Sequence, residues 1–89
     1  MVYRSKIGDI KLDKLTRLYP AGVVDIAGET AEMSLEWCDM NAEKVNITHY
    51  VLVFDFTPAG ERVRDKKEIV FDTKEELIET MVEVSKLFS

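Results

Sequence analysis

Apolar positions along this chain follow two different periods. Toward its C-terminal end Leu77, Met81, Val84 and Phe88 recur at i, i+4, i+7 and i+11, with Ile78 and Leu87 flanking them. That spacing predicts an amphipathic helix of about four turns. Asp72-Thr73-Lys74-Glu75-Glu76 opens it, with Thr73 and Glu76 at capping-box spacing and acids in the first turn facing the positive end of the helix dipole. Glu75, Glu79, Glu83 and Lys86 fall outside the stripe and read as a solvated surface.

The middle of the chain has period two. Asn46 to Phe56 is dense in β-branched and aromatic residues, which suit a pleated surface. In a strand, Tyr50, Leu52, Phe54 and Phe56 point one way and Ile47, His49, Val51 and Val53 the other. Both faces are apolar, so this strand is expected at the centre of a sheet. Thr57-Pro58-Ala59-Gly60 supplies a turn, and Glu68-Ile69-Val70-Phe71 a short strand that runs into the helix.

The N-terminal half is less sharply patterned. Gly22 to Ala27 reads as a strand, with Gly28-Glu29 as a two-residue hairpin loop. Thr30 to Cys38 fits either period. As a helix it places Glu29, Glu32, Glu36, Asp39 and Glu43 on one stripe but splits its apolar residues over both flanks. As a strand it alternates cleanly, with Ala31, Met33, Leu35 and Trp37 on one side, and the strand is the expectation. Ile10 and Leu12 alternate, Asp13-Lys14 can turn the chain, and Leu15 to Tyr19 is expected as a strand ending before Pro20, a short helix over 13–19 being the competing reading. The resulting fold class is α+β: an antiparallel sheet, a meander that becomes barrel-like if it curls, with one C-terminal amphipathic helix. The alternative is a split β-α-β sandwich in which residues 30–43 are helical.

One helix can cover only one face of the central strand. The other face, with Ile47, Val51 and Val53, needs either a sheet that curls over itself or a second copy of the chain, and a homodimer is the expectation.

Composition narrows the functional classes. Eighty-nine residues, 46% apolar and 33% charged, suit a single domain over 1–89 with one compact core. No stretch is long enough to cross a bilayer, and the first eight residues hold no apolar run like a signal peptide. Cys38 is the only cysteine, which excludes an intramolecular disulfide and suits a reducing, cytoplasmic setting.

The net charge of −5 is unevenly spread. Residues 1–24 hold five bases against two acids, whereas 25–43 hold six acids and no base. An acidic total opposes unspecific nucleic-acid binding, and no membrane partner is expected. The acids Glu29, Glu32, Glu36 and Asp39 are the candidate surface for a protein partner with a basic face. They lack the short, glycine-containing spacing of a calcium loop, so no metal is expected.

Arg62, Arg64, Lys66 and Lys67 put four bases in a loop and are the candidate ligand-binding residues. No aromatic residue is interleaved with them for base stacking. Cys38 and His49 would approach one another only if their strands paired, and no nucleophile motif surrounds them, so no catalytic residue is assigned. The glycines form no phosphate-binding fingerprint, and no cofactor is expected. The reading is a small non-enzymatic protein-interaction domain. The alternatives are a small-molecule-binding or enzyme accessory domain, and RNA binding through the basic 62–67 loop.

Overall fold

The computed structural model describes residues 1–58, 60 and 65–88. It is an α+β fold in which two open antiparallel sheets carry two helices. A hairpin of β1 (Val2–Ser5) and β2 (Gly8–Lys11) forms the smaller sheet. The larger has the order β4-β3-β5-β6, from β3 (Arg17–Ile26), β4 (Glu29–Met33), β5 (Asn46–Asp55) and β6 (Lys66–Phe71). Helix α1 (Leu35–Met40) follows β4, and helix α2 (Lys74–Lys86) follows β6. The sheet does not close into a barrel. Among the described residues no helix is long and apolar enough to cross a membrane.

Several local expectations hold. Strand β5 is central, and α2 starts at an N-cap Thr73 whose hydroxyl accepts from the Glu76 N–H at 3.2 Å. Others need correction. Thr30 to Cys38 is neither all strand nor all helix, because the chain switches at Ser34. The Ser34 hydroxyl accepts from the Trp37 N–H at 3.1 Å and so caps α1, which ends the alternation after Met33. Leu15 to Tyr19 is not a separate strand: β3 runs straight through Pro20. Strand β4 pairs only with Gly22–Ile26, so Pro20 lies in the half of β3 without a partner on that side, where a missing N–H costs least.

The hairpin loop is Ala27-Gly28, one residue earlier than expected, with Ile26 paired to Glu29. Both loop residues have positive φ, 51° and 87°, the pattern of a type I′ turn. Asp25 braces it by accepting from the Gly28 N–H at 3.1 Å.

Strand alternation divides the core in two. On one face Leu52, Phe54, Ile69 and Phe71 pack with Ile10 and Leu12 of the hairpin segment and with Leu77 and Val84 of α2. Helix α1 docks on the same face, where Gly22 is essential: a Cβ there would sit 2.5 Å from the Cys38 sulfur. An Asp39–Lys74 ion pair at 2.8 Å ties α1 to the start of α2. The expected helical stripe is only partly used. Leu77 and Val84 are buried and Met81 half-buried, while Phe88 lies past the end of α2, half exposed.

The opposite face carries a second cluster made from strands alone. Ala21, Val51 and Val53 are buried, with Tyr19 and Val23 packed against them. Val51 and Val53 are 1% and 0% exposed within one chain, while Val70, paired with Val51 on the same face, is 47% exposed. Ile47 does not belong to it. The β3–β5 register shifts between Val23 and Val24, leaving Thr48 as the extra residue, its hydroxyl bonded to the Val23 carbonyl at 3.0 Å. A slip of one residue turns a side chain to the other face, and Ile47 pairs with Val24 instead.

Candidate binding groove

The register sets out the polar groups of the strand-only face in rows. Arg17, Asp55 and Lys66 form one row across β3, β5 and β6, and Tyr19, Val53 and Glu68 the next. Ala21, Val51 and Val70 follow, and then Glu32, Val23 and His49 across β4, β3 and β5. Charged side chains thus ring an apolar centre.

Their contacts hold that ring together. The Lys66 ammonium donates to the Tyr19 hydroxyl at 3.0 Å. The Arg17 guanidinium lies 4.8 Å from the centre of the Tyr19 ring and 3.5 Å from the Asp55 carboxylate. Asp55 is buried, and its carboxyl is held below the usual aspartate range chiefly by hydrogen bonds from Thr57, whose N–H donates at 2.9 Å, with Arg17 and Lys66 adding to the effect.

On the same face lie Glu32 of β4 and Glu68 of β6, from the two outer strands of the sheet. Glu68 is pushed above the usual glutamate range, first by partial desolvation, then by the charge of Glu32 and the hydrogen bond shared with it.

Beside this ring, where β4 stops and the chain crosses to α1, lies a groove of about 740 Å³. Its apolar lining is Tyr19, Pro20, Ala21, Met33 and Leu35, and its polar groups are Ser34, Glu32, Glu36 and Lys66. Sequence reasoning did not find the groove, because it exists only through the early stop of β4 and the turn at Ser34. Pro20 was the available signal, marking a strand edge without a neighbour.

The acidic candidates are divided by the fold. Glu32 and Glu36 come together on the groove, from a strand and a helix. Glu29 lies exposed at the hairpin turn, and Asp39 is taken up by Lys74.

The basic candidates divide as well. Arg62 and Arg64 lie outside the described residues. Lys66 and Lys67, adjacent in β6, point to opposite faces: Lys66 to Tyr19, and Lys67 into a second cleft of about 530 Å³ with Lys11, Lys14 and Phe56.

Cys38 and His49 do not meet. Cys38 sits on the helical face over Gly22, where burial pushes its thiol up, with Asp39 adding to the effect. His49 lies on the other face, its Nδ1 3.0 Å from the Thr48 hydroxyl. Among the described residues no group of three or more His, Cys, Asp or Glu side chains is arranged to hold a metal ion. Comparison of the chain with protein-family models, curated proteins and solved structures finds no match.

Proposed function

We propose that this chain is a small protein-interaction domain that receives a basic segment of a protein partner in the groove between β3, the end of β4 and α1. The observation that carries this reading is the convergence of Glu32 and Glu36 on a groove floored by Ala21, Met33 and Leu35. Apolar floor and anionic rim together suit a lysine or arginine side chain, whose aliphatic stem packs while its head reaches a carboxylate. The groove is polarised, with Lys66 bonded to Tyr19 and the carboxylates of Glu32 and Glu36 in its lining. Opposite charges of this kind orient a partner and speed encounter more than they raise affinity.

The test uses synthetic ten-residue peptides, one set rich in lysine and arginine and one rich in aspartate and glutamate, titrated into ¹⁵N-labelled protein. Basic peptides should shift the amides of Ala21, Met33, Leu35 and Glu36, and a Glu32→Lys/Glu36→Lys variant should lose those shifts. Shifts at Lys11, Lys14 and Lys67 on adding an oligoribonucleotide, with none at the groove for any peptide, would favour the RNA reading instead.

A further inference from the structure

Strand β3 is ten residues long, but β4 pairs with only residues 22–26 of it. Among the described residues no strand lies beside residues 17–21 on that side. We infer that the partner's basic segment binds here as an added strand, extended and antiparallel to β3, in the line that β4 leaves at Met33. This rests on the groove being the binding site.

The lining places the groove along this edge. Consecutive strand residues point to opposite faces, so a groove that touches Tyr19, Pro20 and Ala21 alike follows the edge of the strand. Its far wall is residues 33–36, because the chain leaves the sheet at Ser34 to enter α1.

The hairpin fixes which backbone groups face the gap. In a two-residue hairpin the residues flanking the loop exchange both backbone hydrogen bonds, and here they are Ile26 and Glu29. Alternation then turns the N–H and C=O of Val24 and Gly22 toward β4, and the backbone groups of Pro20 and Leu18 toward the gap. Val23 agrees, since its carbonyl faces β5 and accepts from the Thr48 hydroxyl at 3.0 Å. Proline has no N–H, so the gap offers one donor, from Leu18, and two acceptors, the carbonyls of Leu18 and Pro20. The missing donor weakens pairing with stray strands and leaves selection to charge.

Charge selects at a defined position. Glu32 stands opposite Val23, so an added residue opposite Ala21 shares its face, two places and about 7 Å further along the line of β4. A lysine or arginine there reaches the Glu32 carboxylate. The residues on either side of it turn their N–H groups to β3, as in other cases of recognition by strand addition. The ligand is thus an extended segment with basic residues at alternate positions and open N–H groups at the positions between.

The probe is a ten-residue peptide of alternating lysine and threonine, titrated into the full chain. With the lysines on the Glu32 face, the threonine nitrogens face Leu18 and Pro20. Methylating the threonine nitrogens should weaken Kd at least about tenfold, for two hydrogen bonds lost. Methylating the lysine nitrogens, which face away, should change it less than about threefold. Pro20→Ala gives the gap a second donor and should tighten binding of the unmodified peptide by roughly three- to tenfold.

A groove read by side chains alone would gain nothing from that substitution. Equal losses from the two methylated peptides, or a Kd that Pro20→Ala leaves unchanged or weakens, overturn the added strand and leave the groove standing. If no basic peptide shifts the groove amides, the groove reading falls and the added strand falls with it.

Discussion

Leu52 and Val53 are neighbours in β5, and neither shows any surface to solvent, yet they are buried by different means. Leu52 lies under a helix and a hairpin, in a cluster that also holds Phe54, Ile69, Leu77 and Val84. Val53 lies in a cluster of strand residues, among Ala21, Val51, Tyr19 and Val23. The first face excludes water with a second layer of backbone. The second does so with side chains of the sheet itself, of which Tyr19 and Ala21 also line the groove. Side chains rearrange at lower cost than a docked helix, so the second face is the more adaptable of the two.

The comparison is sharpest in core truncations. Phe54→Ala should cost about 3–5 kcal/mol, because helix and hairpin cannot both collapse into the cavity. Val53→Ala should cost roughly 1–2 kcal/mol, since its flexible neighbours can settle onto the smaller side chain. Urea unfolding measures both, and an equal loss per methylene would erase the distinction between the faces.

Next in size is Gly22→Ala, which drives a methyl group against the Cys38 sulfur and should cost about 1–3 kcal/mol. Adding Cys38→Ala should recover much of that loss, and additive costs would show that α1 docks by other contacts.

A smaller effect of opposite sign is expected at the hairpin. Ala27→Gly relieves a non-glycine residue at φ 51° and should raise stability by about 1 kcal/mol, read as a higher unfolding midpoint.

The smallest effect belongs to the strand-only face and is set by pH. The folded protein holds the Glu68 proton more tightly than the unfolded chain. The stability this contributes is fully present below the ordinary glutamate value and is lost as pH rises through the raised one. Glu68→Gln cannot ionise, so it should gain on the wild type as pH rises through that window and show no advantage below it. Parallel stability curves from pH 3.5 to 7.5 would remove the raised Glu68 carboxyl from the account of this face.

Where a residue's part in the fold depended on near neighbours in the chain, it was legible. Thr73 caps α2 through the Glu76 N–H three residues on, and β5 stands out because its alternation runs over ten residues. Thr30 to Cys38 was misread because two local signals compete within nine residues. Alternation holds as far as Met33, and Ser34 has a capping hydroxyl, which acts only if the next turn is helical. Ile47 was placed on the wrong face because a bulge leaves no mark in the alternation, and Thr48 takes its place through a bond to Val23, 25 residues away. The candidate site was half legible: Glu32, Glu36 and Lys66 were chosen for their charge, but Tyr19 and Ala21 were not.

The sequence by itself determined the class of the fold, the central strand, and the C-terminal helix and its cap. All of these rest on residues within about one turn or one strand of each other. Tertiary structure alone decided that β4 stops at Met33, that Gly22 makes room for Cys38, that Val51 and Val53 are buried without a helix over them, and that Glu32 and Glu36 line one groove. These depend on twist, register and one bulge, which set distances between residues tens of positions apart and are fixed only when the whole sheet has formed.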